Sequence, residues 1–303
     1  MRRRELLLLL SASMALAACG SLASLMAPRP WRTALISNSV PLPNAPLPLT
    51  PMTVAHSHND YEQRRPLLDA LALGYRSVEA DILLRDGELW VSHKGRSFVG
   101  TLRELYLDPL QDRVDRLGSV HGEGEPFLLW LDLKSGEEEL VLELRRSLAR
   151  YPMLTRMEGG MTKRAAVTVI LTGDEDAKRA YTAGAGVRYA CRDSNELLEY
   201  EKVDPLHLWY ALNWPDWFSW DGEGRFPSAE RNRLRALVDA VHRLGRRLRL
   251  YHLPEAEGVW SEALAAGVDL LSTDELQRLA QFLEARPLDS ARAALSQPGA
   301  LSR

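Results

Sequence analysis

The chain has 303 residues, a formal net charge of −3 and 46% hydrophobic residues, an ordinary globular composition. The near-neutral balance gives no electrostatic case for nucleic acid as a partner. The length admits two domains, and equally one α/β barrel of roughly 250 residues.

Arg2, Arg3 and Arg4 precede an apolar run from Leu6 to Ala18, which reads as a secretory signal too short for a membrane span. The run ends in "LAAC", Leu16 to Cys19, which resembles a bacterial lipobox and makes Cys19 the expected lipidation site. Residues 19–50 are Pro-rich, as in "SVPLPNAPLPLTP", and suit an extended tether. The expected organisation is a signal over 1–18, a tether over 19–50, one domain over 51–285 and a loose tail over 286–303. The expected location is the cell envelope, with a lipid anchor in the outer membrane facing the periplasm if the cell is Gram-negative. Lipidation of Cys19 would leave Cys191, the other cysteine of the chain, without a partner, so no disulfide framework is expected.

From Thr53 the elements alternate. "TVAHS" reads as a strand, followed by a helix from Pro66, a favourable first-turn residue. "RSVEADILL" is the next strand, and Asp86-Gly87 turns it back through "ELWVSH" as a hairpin. "TLRELYLDPL" reads as helical. The strand "PFLLWLDLK" precedes the amphipathic helix "GEEELVLELRRSLARY", and "AAVTVILT" precedes "DEDAKRAYTAG". "VRYA" is a short strand, and "LHLWYAL" is a strand leading into an aromatic loop. "SAERNRLRALVDAVHRLG" is a helix with Ser228 as N-cap. "RLRLYHL", "GVWSEALAAG", "VDLLST" and "DELQRLAQFLEA" complete the series. About eight strands, each followed by a helix or helical loop, predict a single-domain (β/α)8 TIM barrel of the α/β class. An open doubly wound sheet would need a glycine-rich loop after its first strand, and "HSHNDY" is not one.

Residues at i and i+2 of a strand face one side. His56 and His58, Glu79 and Asp81, and Asp132 and Lys134 use that spacing near the C-terminal ends of three strands, where barrel active sites form. Glu79, Asp81 and Asp132 would crowd three carboxylates together unless a cation intervenes. Oxygen ligands suit one hard ion, Mg²⁺ or Ca²⁺. His58 and His93 would flank it and divide general base and general acid work. Lys134 would supply positive charge to a transferring phosphoryl oxygen. Each group has a bland reading as well: a salt-bridged Glu, a surface His93, a Lys134 that only pairs with Asp132.

Together "HSHNDY", "VEADILL", "ELWVSH" and "TLRELYLDPL" resemble the phospholipase C-like phosphodiesterase superfamily, most of all the branch named for altered inheritance of mitochondria. The resemblance is close over Thr53 to Leu133 and looser up to "AAGVDLLSTDEL". It implies His58 and His93 as catalytic histidines, Glu79, Asp81 and Asp132 as metal ligands with Asn59 as a further one, and Lys134 near the phosphate. His56 is a rival for the role of His58, because the "TVA" before it resembles the strand leading to the catalytic histidine of glycerophosphodiesterases. The "HRG" and "PENT" of that group are absent, Lys94 stands where it has Asp, and Asp132 where it has Glu. The histidine chemistry therefore transfers better than the glycerol substrate.

The loop "NWPDWFSWDGEG" would hang over the barrel mouth, where Trp214 could touch substrate or pack on its own barrel. Tyr251 ends the seventh strand as a further substrate contact. The function expected is a monomeric, metal-dependent phosphodiesterase, anchored to a membrane by lipid, acting on a glycerophosphodiester or phospholipid-type substrate. The alternative is a non-catalytic envelope lipoprotein that binds phosphorylated ligands.

Overall fold

The computed structural model describes residues 51–122, 126–197 and 206–285. The expected signal, Cys19, the tether and the tail lie outside these residues. Eight parallel strands form a closed barrel: β1 (Ala55–Ser57), β2 (Ser77–Arg85), β3 (Phe127–Leu133), β4 (Val167–Gly173), β5 (Ala190–Ser194), β6 (His207–Asn213), β7 (Arg247–Tyr251) and β8 (Leu270–Thr273). Closure is made by β1, which pairs with β8 on one side and β2 on the other. The helices that follow are α1 (Leu68–Ala72), α2 (Asp108–Leu117), α3 (Glu138–Leu148), α4 (Glu175–Thr182), α5 (Trp214–Trp217), α6 (Ser228–Arg243), α7 (Glu257–Ala266) and α8 (Leu276–Glu284). The barrel predicted from the strand–helix alternation is the fold observed.

Two apolar cores follow from the period-2 pleat. Along β3, Phe127, Leu129, Leu131 and Leu133 join the core between sheet and helices. Leu128 and Trp130 point inward and meet Ile170, Cys191, Trp209, Ala211 and Leu270. The interior is thus filled by side chains. A hairpin of Arg156–Glu158 and Met161–Lys163, not anticipated from sequence, inserts Met157 into this inner cluster. A second hairpin, through Asp86 and Gly87, extends β2 outside the barrel with Glu88–Val91, as expected, and Gly100–Thr101 adds a short strand that was not.

Some local expectations are corrected. The fifth strand lies at Ala190–Ser194 and not at "VRYA". Pro227 occupies the cap position of α6, and Ser228 is its first helical residue. The helix expected from Pro66 begins at Leu68, because Leu67 sits at φ 64° in a tight turn whose Leu68 amide donates to the Pro66 carbonyl at 2.7 Å. Such a γ-turn is strained, and the Leu67 amide is held in it by Asp60 Oδ2 at 2.5 Å. The helix before α2 opens as a π-turn over Arg103–Leu107, which sends Tyr106 inward. At the end of β4, Gly173 has φ +87°, and a Cβ there would lie 2.1 Å from Asp132 Oδ1 and 2.5 Å from the Leu133 carbonyl. Only glycine permits both that backbone and that approach.

Candidate active site

The loop after β1 carries His58 and is held from beneath. Asp60 is fully buried and accepts the Ser57 hydroxyl at 2.8 Å, the Leu67 amide and the Tyr106 hydroxyl at 3.0 Å. Burial pushes its carboxyl up to about 6 against these hydrogen bonds. Asn59 takes left-handed backbone, φ 46°, a conformation that asparagine tolerates. Its Oδ1 lies 3.1 Å from the Tyr61 hydroxyl, which lies 2.9 Å from Asp81 Oδ2.

His58 Nδ1 lies 2.9 Å from Asp274 Oδ1, and its Nε2 is 3.8 Å from Glu79 Oε2. Burial opposes its charged form, but the hydrogen bond to Asp274 and the Glu79 charge outweigh it, so its pKa is raised. Asp274 follows β8 directly and holds the ring by Nδ1, with Nε2 turned towards Glu79. Asp274→Asn is expected to remove this support and shift the pH-rate limb that reports His58 towards lower pH. A kcat/KM profile of variant against wild type checks this; an unmoved limb shows that Asp274 does not tune His58.

Asp81 organises the opposite side. Its Oδ2 lies 2.7 Å from His93 Nδ1 and 2.8 Å from Lys134 Nζ. Parallel register places Asp132 beside Asp81, and Lys134 bridges the two, with Nζ 2.9 Å from Asp132 Oδ2. Burial, then the Glu79 charge, raises Asp132 to about 6, with Lys134 opposing. The same two carboxylates raise the Lys134 pKa against its own desolvation. Asp81 Oδ1 is buried without a hydrogen-bond partner.

Glu79 is engaged from across the barrel. Arg249 on β7 donates to both its oxygens, Nη1 to Oε1 at 3.0 Å and Nη2 to Oε2 at 2.6 Å. Its Nε donates to Ser272 at 3.0 Å, and its guanidinium lies 4.7 Å over the Trp130 ring. Burial disfavours the Glu79 carboxylate, yet Arg249 holds it well below the ordinary range. His56 forms part of this floor. Fully buried, it contacts Ser77 Oγ at 2.7 Å and the Trp130 edge, and burial with the Arg249 charge drives its pKa down to about 3. His56 is thus enclosed in the floor, its Nε2 3.5 Å from Glu79 Oε2, whereas the His58 ring keeps 15% of its surface exposed.

The donor set does not form the cation cage expected of Glu79, Asp81, Asp132 and Asn59. Glu79 is spent on Arg249, Asp81 Oδ2 and Asp132 Oδ2 meet Lys134, and Asn59 meets Tyr61. Among the described residues no group of three or more His, Cys, Asp or Glu is arranged to hold a metal ion.

Trp214 is buried among Phe218, Phe226 and Trp220, with Nε1 donating to the Trp220 carbonyl at 3.0 Å. The aromatic loop packs on itself, so Trp214 serves packing and not substrate contact. Tyr251 is half-buried at the mouth, 5.8 Å from the Arg249 guanidinium. Sequence reasoning missed Arg249 and Asp274. It also missed a buried network in which Lys178 donates to Asp193 at 2.6 Å and Asn195 at 2.8 Å. The i, i+2 spacing of Arg249 and Tyr251 was the available signal for the first.

A closed barrel thus brings two histidines and a lysine-bridged carboxylate pair to one end. Residues 48–185 match the AIM6-like phosphodiesterase domain. The chain is 28% identical to altered inheritance of mitochondria protein 6 of Eremothecium gossypii, over 76% of this chain and 69% of that protein. It is 25% identical to the protein of the same name in Zygosaccharomyces rouxii, over 75% and 68%. A glycerophosphodiester phosphodiesterase from Parabacteroides distasonis shares the fold at TM-score 0.51 and 16% identity, covering 78% of this chain and 98% of that one. Over residues 48–185 the chain thus carries an AIM6-like domain of the phospholipase C-like phosphodiesterase superfamily, and that domain is of the phosphoric diester hydrolase class.

These relatives overturn the expected location. They are fungal proteins named for mitochondrial inheritance, so assignment as a periplasm-facing outer-membrane lipoprotein is corrected. No helix among the described residues is long and apolar enough to cross a membrane.

Proposed function

We propose that the chain hydrolyses a phosphodiester of the glycerophosphodiester or phospholipid type, with His58 and His93 dividing the two proton transfers. The carrying observation is that each ring has its Nδ1 tied to a carboxylate, His58 to Asp274 and His93 to Asp81. Each Nε2 is thereby left for a substrate atom. His58, with its charged form favoured, suits protonation of the leaving oxygen. His93 suits removal of the proton from the attacking hydroxyl. Lys134 sets a fixed positive charge between them for the phosphoryl oxygens. If the substrate supplies the hydroxyl, a cyclic phosphate forms first; if water does, the phosphomonoester forms directly.

The test is turnover by the full chain of glycerophosphodiesters, lysophospholipids, sphingomyelin and a chromogenic phosphodiester, with and without added Mg²⁺ or Ca²⁺. Products are read by phosphorus NMR, which separates cyclic from open phosphate. Turnover of any of these supports the reading. Saturable binding of the same compounds with no product would move it to a binder of phosphorylated ligands.

A further inference from the structure

We infer that Arg249 is the resident counter-ion of Glu79, so that the positive charge of the mouth comes from Arg249 and Lys134, with no divalent cation on Glu79. The inference deepens the phosphodiesterase reading and uses it only to say what the charge is for. Three observations carry it.

The first is stoichiometric. A bidentate guanidinium occupies both oxygens of Glu79, the strongest and most geometrically restricted form of this pairing. The second is anchorage. Arg249 is 2% exposed, donates to Ser272, and rests on the face of Trp130, so swinging away would strand a buried charge and give up a desolvated cation–π contact. A divalent ion on Glu79 would sit beside that guanidinium in a medium of low dielectric, where like charges repel strongly. The third is balance. Glu79, Asp81 and Asp132 face the two cations Arg249 and Lys134, so most of the crowded negative charge is already answered by protein. Asp81 Oδ1 is a buried acceptor without a hydrogen-bond partner, which offers one oxygen to a substrate hydroxyl or to an ion that does not touch Glu79.

The experiment reads metal and not turnover, so it stands or falls apart from the catalytic proposal. Chelator-treated full chain is titrated with Mg²⁺ and Ca²⁺ by calorimetry, as wild type, Glu79→Gln, Arg249→Met and the double variant, each checked for folding by circular dichroism. Wild type and Glu79→Gln are expected to agree within twofold, whether they bind weakly or not at all. Arg249→Met, by freeing Glu79 next to Asp81, is expected to bind at least tenfold more tightly than wild type, and the double variant to lose that gain. A tenfold loss of affinity in Glu79→Gln alone would overturn the inference. Should the variants fail to fold, wild-type crystals grown with Mn²⁺ decide the matter. An anomalous peak bonded to Glu79 with Arg249 displaced overturns the inference, and Arg249 still bidentate on Glu79 supports it.

Discussion

His58→Ala is expected to lower kcat/KM by roughly 10²–10⁴-fold, the range typical of a lost general acid or base. The fold should survive, because His58 packs at the rim with Nδ1 on a largely exposed carboxylate, Asp274. His93→Ala is expected to fall by a similar factor for the complementary proton transfer. Its ring is about half exposed and leans on Asp81, so its loss removes no core. His56→Ala would behave differently. That ring is fully buried against Ser77 and Trp130, and its removal should act through stability. Steady-state kinetics beside thermal unfolding separates the cases. A His58→Ala enzyme running at the wild-type rate would end the proposed mechanism.

Glu79→Ala is expected to be the most destabilising single change at the mouth, by roughly 3–5 kcal/mol, the cost of leaving one partner of a buried ion pair uncompensated. The partner left behind is Arg249, which keeps Ser272 but loses both carboxylate contacts. The sign of the pH dependence follows from Glu79. Arg249 holds its folded pKa below the unfolded value, which is about 4.3. The pair's contribution is therefore fully present above that pH and is lost as the pH falls towards the folded value. Denaturation at pH 7 should show the full gap between wild type and variant. Titrating downward from pH 4 should narrow it. A gap that widens on acidification would mean that the carboxylate is not the charged partner assumed here.

This same residue marks the boundary between what could be read along the chain and what could not. Glu79 and Asp81 announced an inward face by their spacing on a strand, and Asp132 with Lys134 did so again. The structure puts all four side chains at one end of the barrel. His58 and His93 were legible for the same reason, each lying just beyond a strand end. The cation assigned to the carboxylates was not legible as an arginine, since Arg249 is 170 residues from Glu79 in sequence and meets it only through barrel closure. Asp274, 216 residues from His58, is hidden in the same way. The aromatic loop illustrates the opposite error. Trp214 looked available because it followed a strand end, yet Phe218 and Phe226 cover it.

The sequence by itself determined the alternation of strand and helix, hence the barrel, and the residues whose spacing turns them inward near the C-terminal ends of its strands. These depend on local backbone geometry, with its periods of two and 3.6, which a linear pattern records directly. Tertiary structure alone decided which charges pair: Arg249 with Glu79, Asp274 with His58, Lys134 between Asp81 and Asp132. Pairing depends on distances across a closed sheet and on the energetic penalty of leaving a buried charge unmatched. Those quantities exist only once the first strand has met the last.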